Sequence, residues 1–551
     1  MKRSLARLFT PALLAAAAPA LAQPAAPPAP AQTPPKLIVV ISVDQYSADL
    51  FAEYRTSYTG GLARLQQGVV FPKGYQSHAA TETCPGHSTI LTGNRPGHTG
   101  IIANEWIDQS VTREDKTVYC AEDPSVPGTT SSNYTVSNMR LKVPTLGTYM
   151  KNANPASRVI SISGKDRAAV MMGGKAVDQI WWWAGRGFTS YKGTPLTPLV
   201  SQVNMAVDKM LDADRPAMDL PDFCKSVDRA VQVTPNLAVG NGRFARKGGD
   251  FKNFRASPEY DAAVLALGSK LVEEQKLGNG GATDLLILGL SANDYIGHTY
   301  GTRGAEMCIQ QANLDQNLGQ FFDMLDAAGI DYMVALTADH GGNDLPERER
   351  EQAITDAERS DPALAPRQAN MMLQAKTSFK GDLILGGGPF GDFYLGKQLT
   401  PAQKATVLKE AVAYYRANRQ VAAVFTKAEL IAAPAPAGPP ESWSLLTEAK
   451  ASFDPERSGD FLVLLKPRVT PISDPDGGYV ATHGSPWDYD RRVPILFWRK
   501  GMAHMEQPQG VETVDILPTI AAQIGLALPR TGIDGKCLDL DPGAASSCPA
   551  N

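Results

Sequence analysis

The chain has 551 residues, a formal net charge of −4 at pH 7, 43% hydrophobic residues and 20% charged residues. This is the composition of a soluble globular protein with a large core, built as one large domain or two ordinary ones. No Lys/Arg-rich cluster is present, which argues against nucleic acid as a partner.

The first residues have the features of a secretory signal peptide. Residues 1–22 contain a basic start with Lys2, Arg3 and Arg7, an apolar run and a final Ala-Leu-Ala, which predicts export and cleavage. Residues 23–35 are rich in proline and alanine and are expected to form an extended linker. No later run reaches the roughly 18 apolar residues that span a bilayer. We therefore expect a periplasmic or secreted protein with no membrane partner after cleavage, while its oligomeric state stays open.

Three apolar segments are predicted to be strands of a parallel sheet that is buried on both faces. They read KLIVVISVD, DLLILGLSAND and DYMVALTAD, and helix-like stretches such as CIQQANLDQNLGQFFDMLDAAG alternate with them, as in an α/β sandwich. The segments end in Asp44, Asp294 and Asp339. An aspartate in this place is usually a turn residue. Because ligands of open α/β sheets bind beyond the carboxyl ends of the strands, however, the three carboxylates together are expected to converge.

Two stretches interrupt the alternation and are interpreted as insertions. Residues 108–278 are rich in proline, glycine and aromatic residues and are expected to form a cap, and residues 343–380 are expected to be a charged, solvated excursion. The segment QIWWWAGRGFTSYKG is interpreted as an aromatic hairpin that packs the cap on the core. A substrate-stacking role for Trp181, Trp182 and Trp183 is the alternative.

The six cysteines form no CxxC pair, so neither a zinc knuckle nor a redox motif is expected. Disulfides are permitted in an exported protein, and a Cys537–Cys548 bond would close a short loop near the C-terminus. Pairing cannot be deduced from sequence and is left open.

Histidines accompany the aspartates at spacings that suit metal binding. Asp294 and His298 are four apart, so one helical turn brings them to the same side. Asp339 and His340 precede two glycines, where a tight turn can aim them at one ion or at two, and His483 follows another strand-like segment. Imidazole nitrogen and carboxylate oxygen are ligands that zinc accepts. The remaining histidines, which are more typical of hydrogen-bonded structure, are His78, His87, His98 and His504.

The segment TETCPGHSTILTG contains the candidate nucleophile. Pro85 suits the first position of a helix from about Gly86 to Leu91, which places Thr83 just before the helix, where backbone N–H groups favour an anion. A threonine hydroxyl bound to a divalent cation can ionise and attack, although an ordinary N-cap is the alternative. Cys84 is the rival nucleophile, but the residue two positions before the proline is the threonine.

These motifs, with THGSPW and DILPTIAAQIG further along, resemble the alkaline phosphatase superfamily on the branch shared with nucleotide pyrophosphatase/phosphodiesterases. The phosphate-irrepressible bacterial alkaline phosphatases are the most similar type. The resemblance implies a mostly parallel central sheet between helices, with a large cap insertion, in a catalytic domain over residues 36–551. It also implies that two zinc ions are bound, one by Asp44, Thr83, Asp339 and His340 and the other, facing the leaving group, by Asp294, His298 and His483.

Three further residues bear on the choice between monoesters and diesters. Asn104 in GIIANEWID matches a family asparagine whose amide contacts a phosphate oxygen, although a turn former is the ordinary interpretation. Lys165 and Arg167 in ISGKDRAAV are expected on one side of an extended segment, with Asp166 facing away. Similar phosphomonoesterases carry a Lys-x-Arg here that clamps the dianionic phosphate, and a solvated charge pair is the alternative.

The sequence therefore predicts an exported two-zinc alkaline phosphatase that hydrolyses small-molecule phosphate monoesters through a phosphothreonine at Thr83, with diester hydrolysis as a secondary activity. One alternative is a phosphodiesterase or nucleotide pyrophosphatase of the same superfamily. The other is a non-catalytic periplasmic phosphate-binding protein on the same scaffold.

Overall fold

The structure is a computed structural model that describes residues 33–543 and 545–549. The predicted signal peptide, residues 1–22, and the predicted linker up to residue 32 lie outside the described residues. Within the described part of the chain, no helix combines the length and the apolar character that crossing a bilayer requires.

The strands are β1 (Leu37–Val43), β2 (Val69–Tyr75), β3 (Glu105–Ile107), β4 (Thr117–Tyr119), β5 (Val159–Ser163), β6 (Gln179–Ala184), β7 (Gly187–Thr189), β8 (Val231–Thr234), β9 (Leu237–Val239), β10 (Asp284–Leu290), β11 (Tyr332–Thr337), β12 (Glu358–Arg359), β13 (Ile384–Leu385), β14 (Gly391–Leu395), β15 (Val421–Thr426), β16 (Phe461–Leu465), β17 (Val469–Thr470), β18 (Arg492–Arg499), β19 (Met505–Glu506) and β20 (Val511–Glu512).

The α-helices are α1 (Ala48–Tyr54), α2 (Gly61–Leu65), α3 (Thr83–Ile90), α4 (Pro96–Thr99), α5 (Leu146–Ala153), α6 (Asp166–Gly173), α7 (Pro198–Leu211), α8 (Phe251–Arg255), α9 (Pro258–Gln275), α10 (Ala292–Tyr300), α11 (Ala305–Ala327), α12 (Pro346–Glu351), α13 (Pro366–Thr377), α14 (Pro401–Ala417), α15 (Lys427–Ala432), α16 (Leu445–Ser452), α17 (Asp488–Arg491) and α18 (Ile516–Gln523). Short 3-10 helices lie at Asp222–Val227, Pro362–Leu364, Pro440–Ser442, Pro475–Gly477 and Thr513–Asp515.

A central sheet of ten strands organises the chain. Its order is β19-β2-β18-β11-β1-β10-β5-β6-β7, with β20 paired to β2. Strands β11, β1, β10, β5 and β6 run parallel to one another, and the antiparallel strands β18 and β7 flank them. The three apolar segments identified in the sequence are β1, β10 and β11, and all of their residues are buried.

Helices cover both faces of this sheet. Val39 and Ile41 of β1 belong to one core with residues of α1, α2, α9 and α11, whereas Ile38 and Val40 belong to another with residues of α5 and α18. Alternate residues of a strand point to opposite faces, so a strand with helices on both sides is apolar throughout. The predicted α/β sandwich with a mostly parallel sheet is therefore confirmed.

The stretch 108–278 contributes more to the central sheet than a separate cap would. It supplies β5, β6 and β7, and β6 and β7 form the expected aromatic hairpin. Trp181 and Trp183 pack in the core on one side of the sheet and Trp182 in a separate core cluster, all three at most 7% exposed. Packing rather than substrate stacking is therefore what these indoles do. The small hairpins β3-β4 and β8-β9 lie outside the central sheet.

A second, smaller sheet has the order β13-β14-β16-β15 and packs with α13 and α14 around its own core. The stretch 343–380, expected to be solvated, contributes α13, whose Leu373 is fully buried in this core. The turn between β13 and β14 carries Phe390, which lines cavities beside the site described next.

Candidate active site

Two groups of potential metal ligands lie beyond the carboxyl ends of neighbouring strands. Asp44 directly follows β1, Asp339 and His340 follow β11, and α10 begins after β10. The first group is Asp44, Asp339 and His340, and the second is Asp294, His298 and His483; within each group the ligand atoms lie within 4.8 Å of one another. The structure thus brings together residues that the sequence widely separates.

The three histidines are oriented by backbone carbonyls. The Nδ1 of His298 donates to the Ala481 carbonyl at 2.9 Å, that of His340 to the Gly341 carbonyl at 2.8 Å, and that of His483 to the Thr81 carbonyl at 2.8 Å. A carbonyl can only accept, so each neutral ring carries its proton on Nδ1 and offers the Nε2 lone pair. Each Nε2 faces an aspartate carboxylate. This is the arrangement of metal-binding histidines.

The two groups form one continuous site. The His340 and His483 rings stack with centroids 3.5 Å apart. Gln45, which the sequence analysis did not single out, donates its backbone N–H to Asp339 Oδ1 at 3.1 Å and its side-chain amide to Asp294 Oδ1 at 3.3 Å. Its φ of 64° is unusual for a residue other than glycine. Such local strain persists where the surroundings fix a functional geometry.

Burial and crowded charge perturb the ionisation of the site. Burial, followed by the Asp339 carboxylate, raises the pKa of Asp44 to about 7. Burial lowers the pKa of His340, but the carboxylates of Asp339, Asp44 and Asp294 together outweigh it and raise that pKa to about 9. Burial and the charge of His340 lower the pKa of His483 to about 3. Opposed shifts of this kind, in one cluster of buried acids and imidazoles, are typical of functional sites.

Two carboxylate oxygens provide a direct test of whether the residues fit a cation. Asp44 Oδ1 and Asp339 Oδ2 are buried and accept no hydrogen bond from the described residues. A buried carboxylate oxygen that accepts no hydrogen bond is costly unless it coordinates a metal. A divalent cation bound between these oxygens and the Nε2 atoms provides that partner, so the residues present fit a metal ion.

Thr83 lies beside the first group of ligands. Its Oγ1 is 3.5 Å from His340 Nε2, and the residue is buried. Helix α3 begins at Thr83 itself, earlier than predicted, because the Gly86 N–H already bonds to the Glu82 carbonyl at 2.9 Å. The predicted placement just before the helix is therefore wrong by a fraction of a turn. In the first turn after Thr83, the Cys84 N–H donates to Asn104 Oδ1 at 2.8 Å, and Pro85 has no N–H.

Helix α3 packs directly on the loop that carries Asp339. A Cβ on Gly86 would overlap the Asp339 carbonyl oxygen, so only glycine permits this approach. One turn along, His87 donates from Nδ1 to the Thr83 carbonyl at 2.9 Å, and the same nitrogen lies 3.1 Å from Asp339 Oδ2. His87, interpreted from the sequence as part of hydrogen-bonded structure, makes such a bond, and its position four residues after Thr83 puts both residues on one face of α3.

Asn104 is held in place by three hydrogen bonds. Its side-chain Oδ1 accepts from the Cys84 N–H at 2.8 Å, its own N–H donates to Glu82 at 2.6 Å, and its carbonyl accepts from the Cys120 N–H at 2.9 Å. With Oδ1 engaged, the amide NH₂ is the free end of the side chain. An oriented donor beside Thr83 suits a phosphoryl oxygen.

Lys165 joins the two ligand groups. Its Nζ lies 2.7 Å from Asp44 Oδ2 and 2.5 Å from Asp294 Oδ2. Burial lowers the pKa of Lys165, but the Asp294 and Asp44 carboxylates outweigh it and the net pKa is raised. The expected extended segment is wrong, because Lys165 is the N-cap of α6 and Arg167 lies in the first turn of that helix.

Asp166, expected to face away from the site, is fixed by two tyrosines. Tyr119 donates to its Oδ1 and Tyr134 to its Oδ2, each at 2.8 Å. The Tyr119 and Tyr134 rings lie 4.4 Å apart. Because Asp166 and Arg167 are neighbours in the first turn of α6, this pair of hydrogen bonds also fixes the backbone position from which the Arg167 side chain extends.

A cavity of about 440 Å³ adjoins the site. Asn104 and Arg167 line it together with the aromatic side chains of Trp106, Tyr119 and Phe390. Its size is that of a small-molecule pocket, and the carboxylates of Glu82, Glu105 and Asp392 also line it. Arg167 Nε is buried and has no hydrogen-bond partner among the described residues.

All six cysteines form disulfides, and one of them borders the nucleophile. The pairs are Cys84–Cys120, Cys224–Cys308 and Cys537–Cys548, of which the sequence suggested only the last. Cys84 follows Thr83, and Cys120 bonds to the Asn104 carbonyl. The Cys84–Cys120 bond therefore ties the start of α3 to the segment that holds Asn104.

Replacing both Cys84 and Cys120 with serine is expected to lower the free energy of unfolding by about 3–4 kcal/mol, because the bond closes a loop of 36 residues. We also expect kcat to fall by about tenfold as Asn104 loses its tether. Urea unfolding and steady-state kinetics measure the two effects. The matched control, Cys537→Ser with Cys548→Ser, should lose stability but keep kcat, and equal kcat values in both double variants would contradict the positioning role.

Known proteins resemble this chain in sequence and in fold. The model of the type I phosphodiesterase / nucleotide pyrophosphatase family matches residues 38–486. Alkaline phosphatase PhoK of Sphingomonas sp. is 60% identical over 522 residues, 94% of this chain and 93% of PhoK. Alkaline phosphatase PhoD of Zymomonas mobilis subsp. mobilis is 50% identical over 93% of this chain and 89% of PhoD. The crystal structure of alkaline phosphatase PafA has a TM-score of 0.79 at 22% identity, over 92% of this chain and 99% of PafA, which is a likeness of fold.

Proposed function

The chain belongs to the type I phosphodiesterase / nucleotide pyrophosphatase family of the alkaline phosphatase superfamily, and on this premise we propose that it is an exported two-zinc enzyme that hydrolyses small-molecule phosphate monoesters through Thr83. It is a phosphoric ester hydrolase of the alkaline phosphatase type. The finer assignments that follow concern its metal, its nucleophile and its preference for monoesters.

The monoester proposal rests on the arrangement of charged and polar side chains around Thr83. Thr83 lies beside two groups of metal-type ligands, Lys165 bridges both groups, and Asn104 and Arg167 line the adjoining cavity. Two fixed cations and an oriented amide suit a phosphoryl group with two negative charges. A diester has one such charge and a second organic group, so it gains less than a monoester from Lys165 and Arg167 together.

The chain's own residues account for orientation and charge in the reaction. Thr83 gives its hydroxyl proton to solvent and Oγ1 attacks phosphorus. The Oγ–P bond forms, and the bond from phosphorus to the ester oxygen breaks, with that oxygen leaving as an alcohol after it takes a proton from solvent. Lys165, Arg167 and Asn104 hold the phosphoryl oxygens during both this step and the attack of water that releases phosphate. Zinc, which accepts imidazole and carboxylate ligands, would be held by the two ligand groups and would ionise the nucleophile and stabilise the departing oxygen.

Export is supported by covalent structure as well as by the N-terminal sequence. The three disulfides use every cysteine of the chain. Disulfides persist in oxidising compartments and are rare in the cytosol. Together with the signal-like residues 1–22, they favour a periplasmic or secreted location.

The proposed activity is tested by a panel of phosphate monoesters and diesters assayed with and without chelator. We expect faster monoester hydrolysis, lost on chelation and restored by zinc. A higher kcat/KM for diesters than for monoesters would favour the phosphodiesterase alternative. Binding of inorganic phosphate without turnover of any ester would identify the phosphate-binding alternative.

Metal analysis of the purified protein is expected to give about two zinc ions per chain. His298→Ala should reduce this to about one, because it removes one of the three ligands of the second group. Asp219→Asn, at an exposed aspartate, is the control and should leave the content unchanged. A wild-type protein that retains manganese or calcium in preference to zinc would contradict the assignment.

A further inference from the structure

We propose that Tyr479, Tyr295 and Arg255 form a subsite for the leaving group, and that it selects esters whose leaving group carries an aromatic ring and a negative charge. The inference rests on the proposed hydrolysis of phosphate monoesters, and it concerns what lies beyond the scissile bond. None of the three residues belongs to the ligand groups or to the phosphate-binding set described above.

Tyr479 presents a large aromatic surface directly over a candidate metal ligand. Its ring stacks on the His298 imidazole, with centroids 4.6 Å apart and an angle of 21° between the planes. The residue is nevertheless 42% exposed. One face of the ring therefore covers the histidine, and the rest is open to a ligand or to solvent.

The position of Tyr479 is fixed by its neighbours. The Val480 N–H donates to the His298 carbonyl at 2.8 Å, and His298 Nδ1 donates to the Ala481 carbonyl at 2.9 Å. Gly478, with a φ of 102°, allows the backbone to turn into this segment. The two residues that follow Tyr479 are thus hydrogen-bonded to His298 of α10, and they hold the exposed tyrosine in one position. This suits a preformed binding surface.

Tyr295 and Arg255 complete the rim. Tyr295 follows Asp294 on α10, and its ring centroid lies 5.0 Å from Lys165 Nζ and 4.9 Å from the Arg255 guanidinium carbon. Arg255 is half-buried and makes no ion pair or hydrogen bond with the described residues through its side chain. Lys252, which is exposed, places its ammonium against Gly478. Positive charge with no acidic partner among the described residues therefore lies over the Tyr295 ring and beside Gly478, the residue that precedes Tyr479.

In-line attack decides which part of the substrate reaches these rings. Thr83 is next to His340, in the first ligand group. Attacking and leaving oxygens lie on opposite sides of phosphorus in such a displacement, and a pair of metal ions holds one on each side. The leaving oxygen therefore lies on the side of His298, and the group attached to it extends towards Tyr479.

The chemistry of the rim defines the preferred leaving group. Tyrosine rings stack on aromatic groups, and a guanidinium that already lies over one ring can pair with an anion. Loss of one stacking contact is expected to reduce kcat/KM by about three- to tenfold, from the usual strength of aromatic pairs. Loss of a charge-assisted contact is expected to reduce it by about tenfold or more.

Adenosine 5′-monophosphate and ribose 5-phosphate provide a matched pair of substrates, because both release a primary 5′-alcohol and only the nucleotide carries an aromatic base. Tyr479→Ala is expected to lower kcat/KM for the nucleotide about three- to tenfold and to leave ribose 5-phosphate within about twofold. Tyr479→Phe, which keeps the ring, should resemble wild type. Equal losses on both substrates would overturn the subsite and leave Tyr479 as a positioning residue for His298.

Adenosine 5′-diphosphate tests the charge, because the leaving group of its terminal phosphate is itself anionic. Arg255→Gln is expected to lower kcat/KM for the diphosphate about tenfold more than for the monophosphate. Arg530→Gln, at an exposed arginine of the C-terminal segment, is the control and should change neither value. Equal losses on the two nucleotides in Arg255→Gln would overturn the role of Arg255. If wild-type enzyme hydrolysed no monoester at all, the proposed function itself would fail, independently of the subsite.

Discussion

Thr83→Ala is expected to lower kcat for phosphate monoesters by about 10³-fold or more while the protein stays folded and keeps its metal ions. Removal of a nucleophile leaves only the catalysis that binding and oriented charges provide. Thr83 is fully buried at the start of α3, and its Oγ1 lies 3.5 Å from His340. Alanine fits the same space and retains the helix, so the loss reports chemistry rather than unfolding. Steady-state kinetics, metal analysis and thermal unfolding measure the three quantities.

Two variants make the result specific to the hydroxyl. Thr83→Ser keeps an oxygen at the same position and should retain measurable turnover. Thr81→Ala removes a buried hydroxyl in the same segment, whose Oγ1 donates to the Ser485 carbonyl at 2.7 Å, and should stay within about tenfold of wild type. Turnover by Thr83→Ala within tenfold of wild type would assign the attack to another group. Cys84 is not an available alternative, because its sulfur is bonded to Cys120.

The fold was predictable wherever a strand is buried on both faces. Strands β1, β10 and β11 are continuous apolar runs, because helices cover them on each side. Strand β2 has the sequence VVFPKGY, in which a proline and a glycine break the apolar run. Its pairing with β18, more than half the chain away, supplies the register. Such a partner cannot be read from a local pattern.

The candidate site was predictable to the extent that its residues form short local motifs. Asp294 with His298 and Asp339 with His340 stand in such motifs, and each follows a strand of the central sheet. Gln45 does not, because its contact with Asp339 joins residues separated by 294 positions. The tyrosines that hold Asp166 come from another part of the chain in the same way. Residues that orient the ligands can thus be identified only from the residues that they contact. Those contacts form only when the chain folds.

The double variant Lys165→Ala with Arg167→Ala is expected to lower kcat/KM for monoesters by about 10⁴-fold and for diesters by about tenfold. Removal of one preoriented donor to a developing charge typically costs about 10²- to 10³-fold, and a dianionic phosphoryl group uses both cations. A diester carries one negative charge and gains less from each of them. The ratio of the two activities, measured on simple aryl phosphate monoesters and bis-aryl diesters, therefore measures how much Lys165 and Arg167 favour the dianionic phosphoryl group.

Metal content must be measured in the same variant, because Lys165 Nζ lies between Asp44 and Asp294. If removal of Lys165 only disturbed metal binding, both activities would fall together and zinc would be lost. Lys175→Ala with Lys192→Ala removes the same net charge from two exposed positions, and controls for the general field of the protein. Equal losses on monoesters and diesters with full metal occupancy would mean that these two cations act on the leaving group or on folding rather than on the second phosphoryl charge. A selective loss of monoester hydrolysis would instead show that Lys165 and Arg167, which follow β5, are the residues that make the enzyme prefer monoesters to diesters.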